Sequence, residues 1–466
     1  MLRLTKRQPD FWDELLPAEV RRLSAELTAV DEVLDDERFL APFVARFPSK
    51  RGRQTIPMET YLRLMYLKVR YGFGYESLVA EVSDSVSWRR FCRISLSERV
   101  PDASTLIKLT NGPCRGLAEE VHTALVQKLA EKKVLKGSKL RVDTTVVEAD
   151  IHYPTDADLL ADGVRVVTRT TRQLQRQLQQ ESQSAGKPFK DVGRTVKKGL
   201  LTLGKGLKAK GGDKSTTRAG ITAQILAIAE DVVRRATTIR AKVVRGLAGT
   251  AVPEGVHRRV GQLGTWLERT ERIIEQTKQV LDGNVYVKDR LVSLFDTDAR
   301  PIRKGQLKVA GGTQFGYKAV VADDEAGFVT DVHVVSGNPQ DSTLLVGAVQ
   351  RHRDRVHRVP TAVAADRGMT SAANDVALAD LGVAYRSLPR QGSLTPLQRD
   401  TEHQPWFRQL QRFRAGGEAR ISLLKRKYGW RRSRLRGLSG VQTWLGWGVI
   451  AHNLTKYARL QLVTAA

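Results

Sequence analysis

Apolar residues recur at helical spacing from residue 11 to about residue 135. After Pro57, YLRLMYLKVRYG carries Leu62, Leu64, Met65, Leu67 and Val69 in one predicted helix, closed by the turn Gly72-Phe73-Gly74. YESLVAEVSDSVSWRRF reads as the next helix, and Pro101-Asp102-Ala103-Ser104 as the start of another, with Asp102 or Ser104 as cap. Two short helices at an angle resemble a helix-turn-helix in outline, and an ordinary bundle explains them equally well. At residue 138 the period changes. LRVDTTVVEA is rich in β-branched residues and predicts a strand over 138–150. PTDADLLADGVR then reads as an acidic, turn-rich stretch.

From 166 to about 283 the helical period returns, with Ile221, Ile225, Ile228, Val232, Ile239 and Val243 on one stripe and Leu263, Trp266, Leu267, Ile273, Ile274 and Val280 on another. Between Gly186 and Lys214, GKPFKDVGRTVKKGLLTLGKGLKAKGGDK has few large apolar residues and predicts a mobile basic loop, a solvated linker or a DNA-backbone contact. From 286 to 390 strands alternate with helices. YVKDRLVSLF, FGYKAVVADD and GFVTDVHVVSG are β-rich, and DEAG between the last two suits a hairpin. Ser342–Val356 has a helical pattern, TAVAAD a strand, SAANDVALADLG a helix and VAYRSLP a strand. Residues 401–436 read as a long basic helical region. The expected class is therefore α/β: a mixed-sheet core at 136–165 and 284–440, an all-helical N-terminal domain at 1–135, a basic helical insertion at 166–283, and a C-terminal helix at 441–466.

Charge narrows the function. Lys and Arg number 77 against 50 Asp and Glu, a formal charge of +27, and 41% of residues are hydrophobic. A foldable chain with that excess is suited to a polyanion. Its two cysteines, Cys92 and Cys114, make neither a disulfide framework nor a zinc site by themselves and fit a reducing cytoplasm. The N-terminal MLRLTKRQPDFWDELL lacks the apolar core of a signal peptide. VQTWLGWGVIAHNLTKYARLQL, broken by His452, Asn453, Lys456 and Arg459, reads as a buried helix rather than a bilayer span. No metalloprotease, P-loop or dinucleotide signature occurs, and the eight histidines show no zinc spacing.

Three acids stand out. Asp143 lies within the apolar strand pattern LRVDTTVVEA, Asp366 ends TAVAAD before Arg367-Gly368, and Glu418 lies in RAGGEARISLLKRKYGW. Clustered carboxylates repel unless a cation joins them. Phosphodiester chemistry uses hard divalent ions on such oxygens to activate the attacking oxygen and stabilise the leaving one. Two of the acids also have an ordinary explanation: an exposed strand face for Asp143, a turn or helix cap for Asp366. Glu148 and Asp150 follow Asp143 on its segment. Asp156, Asp158 and Asp162 are expected in a loop, and Asp341 as a helix cap. His152, beside Tyr153-Pro154, reads as structural.

The order of these blocks resembles the bacterial insertion-sequence DDE transposases. QTIPMETYLRLMYLKVRYGFGYESLVAEVSDSVSWRRFCRISLSERVPDASTL is similar to the helical domain that precedes their core. RVDTTVVEADIHYPTDADLLADGVRVVTR is similar to the first-Asp block, and SLFDTDARPIRKGQLKVAGGTQFGYKAVVADDEAGFVTDVHVVSGNPQDSTLL to the second and third strands. VAADRGMTS is similar to the second-Asp block. The third block carries a Tyr, Arg, Glu, Lys signature. Arg414, Glu418 and Lys425 match its spacing, while Gln411 stands at the Tyr position with Phe413 nearby. The resemblance spans roughly residues 40–460.

It implies an RNase H-like catalytic core in which Asp143, Asp366 and Glu418 are catalytic and hold Mg²⁺ or Mn²⁺. Arg414 and Lys425 would contact DNA phosphate or orient Glu418, and the insertion lysines Lys197, Lys198, Lys205, Lys208 and Lys210 are candidate DNA contacts by charge. The implied activity is cleavage at element ends and strand transfer into target DNA. The implied partners are terminal inverted repeats, target DNA and further copies of the chain in a synaptic complex, in the nucleoid-containing cytoplasm and away from membranes. An RNase H-like nuclease without strand transfer, and an inactive DNA-binding regulator descended from a transposase, remain alternatives.

Overall fold

The computed structural model describes residues 1–5, 15–47, 52, 54–181, 186–208, 214–246, 253–284, 286–303, 312–390 and 392–465, with the side chains of 205–208, 214–217 and 464–465 left out of account. Two compact units result, one of residues 1–150 and 316–466, the other of residues 151–315. The boundaries thus fall outside the 166–283 block expected for the insertion. Helix Asp156–Gln180 carries Leu159, Leu160, Val164, Val167, Leu174 and Leu178 into the core of the smaller unit.

The larger unit holds strands β1 (Lys139–Glu148), β3 (Thr313–Asp324, from Gly316 onward), β4 (Val329–Val335), β5 (Ala362–Ala365) and β6 (Tyr385–Ser387), and β2 (Arg300–Arg303) belongs to the smaller one. The strands run in the order β4-β3-β1-β5-β6. β3 is antiparallel to both β1 and β4, while β5 is parallel to β1 and β6 to β5. Alternation along β1 sends Leu140 and Val142 to one face and Arg141 and Asp143 to the other. On the first face, helix Leu345–Val356 and helix Ala372–Asp380 pack Leu345, Ala348, Val349 and Leu378 against Leu140, Val142, Val320 and Val363. On the second, helix Pro405–Lys427 sets Trp406, Leu410 and Phe413 on Ala362 and Ala364, whose small side chains let the helix lie close.

β4 would leave one backbone edge open. Helix Gly437–Ala465 covers it: Gln442 accepts from Val334 N and donates to Val332 O, and Asn453 does the same for Val329 N and O. Among the described residues ahead of β1 every element is a helix. These helices share a unit with the sheet. Among the described residues, no helix is long and apolar enough to cross a membrane.

Several local expectations give way. PTDADLLADGVR is helical from Asp156, because Thr155 Oγ1 caps Asp158 N and two aspartates sit in the first turn, where the helix dipole favours them. The expected basic loop contains helix Gly193–Lys208. Val196, Leu200 and Leu203, spaced four and three apart, give it an apolar stripe on the smaller unit's core. YVKDRLVSLF forms no strand within its described residues; the Gln276 side chain takes up Leu291 N and O instead of a neighbouring strand. The helix expected across residues 75–91 breaks at Ser85, which caps Trp88 N. The long basic helix stops at Lys427, before Gly429 at φ +76°.

Three buried histidines resist protonation. Burial pushes His122 and His352 down to about 4 and His452 to about 3, from an ordinary 6.5. Below 6.5 the unfolded chain takes up protons that the native state refuses, so their contribution is complete above that pH and lost as pH falls toward 4. Asp324, raised to about 6 by burial, acts in the opposite sense between 3.8 and 6, but it is one group against three. The thermal midpoint is therefore expected to drop by several degrees between pH 7 and pH 5, each unit of refused protonation costing about 1.4 kcal/mol. A midpoint that stays flat or rises over this window, followed by calorimetry, would contradict the assignment.

Candidate active site

β1 and β5 run in parallel with Val142 opposite Ala365. One residue further along lie Asp143, still within β1, and Asp366, just past the end of β5 as the cap of the turn Arg367–Met369, on the face that helix Pro405–Lys427 covers. Asp143 Oδ1 accepts from Thr144 N at 2.7 Å and Asp366 Oδ1 from Arg367 N at 2.8 Å, so each carboxylate is partly held by its own backbone. A β-carbon added at Gly417 would lie 4.0 Å from Asp143 Oδ2, which brings the helix turn before Glu418 over the first acid. Arg414 links the other two, at 3.9 Å from Asp366 Oδ1 and 3.7 Å from Glu418 Oε1. The Arg414 side chain is 19% exposed, against 59% for Asp366 and 72% for Glu418. The three acids and Arg414 therefore meet at one end of the sheet.

They do not form a closed cage. Among the described residues no group of three acids, histidines or cysteines is arranged to hold a metal ion. Arg414 occupies the gap between Asp366 and Glu418, and both carboxylates reach solvent. Hard anionic oxygens on β1 and just past β5, with an exposed Glu free to turn toward them, are the donor chemistry of Mg²⁺ or Mn²⁺. Lys425 lies about 10.5 Å along the helix from Glu418 and is half-buried. Gln411 donates to Ser387 O and Oγ at 3.0 and 2.9 Å, so the residue at the signature's Tyr position ties the helix to β6.

The competing acids have other partners. Glu148 and Asp150 pair with Arg432 and Arg434. Asp156 pairs with Arg290, Asp158 accepts from Thr155 Oγ1, and Asp162 pairs with Arg165, all in a helix rather than the expected loop. Asp341 does not cap the following helix. It accepts from Lys318 Nζ at 2.8 Å and Thr144 Oγ1 at 3.0 Å, which holds the middle of β1, next to Asp143, from the opposite face. His152 is exposed, 3.9 Å from Asp162. Lys197 and Lys198 are exposed on helix Gly193–Lys208 of the smaller unit. The side chains of Lys205 and Lys208, and all of Lys210, lie outside the described residues.

One group escapes a reading by motif. Arg141 and Asp323, on adjacent positions of β1 and β3, form a buried two-point pair at 2.8 and 2.5 Å. Arg141 Nη1 also donates to Phe413 O at 2.7 Å, its guanidinium lies 4.7 Å from the Phe413 ring, and Arg420 adds a second cation to Asp323 at 3.2 Å. This pair fastens the Glu418 helix to the sheet. A β-carbon at Gly416 would collide with Arg141 Nη1, whereas one at Gly417 would meet Arg141 Cδ at 3.5 Å. The sequence signal was two glycines in mid-helix, each costing about 0.5–1 kcal/mol against Ala. Gly416→Ala is expected to lose about 1 kcal/mol or more by displacing Arg141, despite the better helix former, and Gly417→Ala to be neutral or slightly stabilising. Equal shifts for the two variants in denaturant unfolding would contradict this packing.

Two family models match the chain. Residues 13–111 match the Transposase domain (DUF772), and residues 291–454 match the Transposase DDE domain. No solved structure matches it. The helical N-terminal match and the match containing Asp366 and Glu418 occur in the order the sequence blocks implied, and together they cover more than half of the chain. The chain belongs to the insertion-sequence DDE transposases and is an enzyme of that family.

Proposed function

We propose that this transposase hydrolyses phosphodiester bonds at the ends of its own element and joins the freed 3′-hydroxyl to target DNA, with Asp143, Asp366 and Glu418 as the catalytic acids. The observation that carries this reading is the meeting of the three acids at one sheet end, one within β1, one just past the end of β5 and one from the helix laid across them. The strand order, three antiparallel strands followed by two parallel ones, supports an RNase H-like core. A nuclease that only hydrolyses would need the same acids, but the family match favours transposition.

Asp143, Asp366 and Glu418 would hold Mg²⁺ or Mn²⁺, which would lower the cost of charge on the attacking and leaving oxygens. The chain's own residues do the rest. Asp143 and Asp366 are pre-oriented by their backbone bonds. Arg414 keeps Glu418 beside Asp366 in the free protein and has donors for a scissile phosphate. Lys425, on the same helix, would hold a phosphate further along the strand. Hydrolysis and strand transfer both displace an alcohol oxygen in line, so one site serves both steps. Lys197, Lys198, Lys205, Lys208 and Lys210 would bind DNA backbone, and the helical segment 1–135 would read the terminal repeats. Joining two ends calls for at least two copies of the chain in one complex, acting on nucleoid DNA.

Asp143→Ala, Asp366→Ala and Glu418→Ala are each expected to reduce Mg²⁺-dependent cleavage by about a thousandfold or more, several kcal/mol of transition-state stabilisation. DNA affinity should change little, since carboxylates repel phosphate. Near-normal cleavage by any one variant would remove that residue from the set.

A further inference from the structure

The smaller unit carries a groove of about 1280 Å³ between helix Asp156–Gln180 and helix Gly193–Lys208. One wall is a ladder of arginines, Arg165, Arg169, Arg172 and Arg176, spaced four, three and four residues apart on the face of helix Asp156–Gln180 opposite its buried leucines and valines. The other wall contributes Arg194 and Lys197. We infer that this groove is a binding track for the sugar-phosphate backbone of DNA, with Arg169, Arg176 and Arg194 as principal phosphate contacts. The inference rests on the DNA reading above and assigns it a surface.

Three observations favour a ligand over a merely solvated face. First, a solvated helix face mixes charge signs at spacings of three and four. Here four arginines follow one another at those spacings, each like pair costing roughly 0.2–0.5 kcal/mol. Second, the facing wall adds cations where a structural pairing would add acids. Third, the acids present are already engaged: Asp162 pairs with Arg165, Asp191 with Arg172, and Asp158 accepts from Thr155. Arg169, Arg176, Arg194 and Lys197 have no ion pair or hydrogen bond among the described residues, and all four are exposed. A polyanion removes the repulsion that the fold tolerates. The ladder runs about 16.5 Å along the helix, the length of roughly five phosphates on one strand. Tyr153, 68% exposed on the same groove with its ring edge-on to Phe315, offers an aromatic face beside the track.

The test compares the full-length protein with Arg169→Ala/Arg176→Ala/Arg194→Ala by fluorescence anisotropy on a mixed-sequence duplex over a range of salt. Three lost phosphate contacts should lower the log–log salt slope by about 2.7, at about 0.9 per contact. Affinity should fall tenfold or more. Lysine at the same three positions should restore the slope, which separates lost charge from lost folding. An unchanged slope in the alanine variant would overturn the groove as a DNA track and leave the DNA reading standing. A wild-type protein that binds no duplex at any salt would overturn both.

Discussion

The buried Arg141–Asp323 pair is the contact on which the acid site depends. It joins two neighbouring strands, reaches the backbone of the helix laid over them through Phe413 O, and recruits Arg420 from the next turns of that helix. Removing either partner would leave a charge in a site that is only 9% exposed at Arg141 and 3% at Asp323, a loss of about 3–5 kcal/mol. The pair fixes the helix in rotation as well as position. A guanidinium under Gly416 admits no β-carbon there, so the helix presents its smallest residues to β1 and sets the turn that carries Glu418 over Asp143. An acid on a helix, such as Glu418, has no sheet register to align it. Here a buried ion pair supplies the alignment that hydrogen-bonded pairing supplies for the other two.

The rest of the chain follows an electrostatic division. At the sheet end, acids gather around one arginine. In the smaller unit, arginines line a groove whose few acids are already paired. Both arrangements store like-charge repulsion, which the proposed partners, divalent cations at the first and phosphates at the second, would relieve. An excess of +27 is consistent with far more phosphate contacts than a single scissile bond needs.

Much of the sheet was legible in the sequence because period-two alternation and turn residues mark short strands. FGYKAVVADD, DEAG and GFVTDVHVVSG became β3, a tight turn and β4. Failures came where side chains replaced backbone partners or a sparse stripe sufficed. Gln276 satisfies the backbone at Leu291, so apolar residues that resemble a strand form none. Val196, Leu200 and Leu203 organise a helix within a stretch otherwise read as loop, since three apolar residues at the right spacing outweigh its glycines and lysines. The three acids could be nominated from their settings and from the family resemblance. The Arg141–Asp323 clamp could not, because an arginine and an aspartate 182 positions apart carry no joint pattern until the register of β1 and β3 is known. The unexplained pair of glycines in RAGGEAR was its only trace.

Iron-directed self-cleavage shows whether Asp143, Asp366 and Glu418 form one divalent-cation site. Fe²⁺ substituted for Mg²⁺ reduces added peroxide to hydroxide and a hydroxyl radical, itself becoming Fe³⁺, and the radical cuts the polypeptide where it surrounds the bound ion. Three cuts are expected, near residues 143, 366 and 418, appearing together and suppressed together by Mg²⁺. Cuts at only one or two of these positions, or cuts elsewhere that Mg²⁺ competes away, would contradict that shared site.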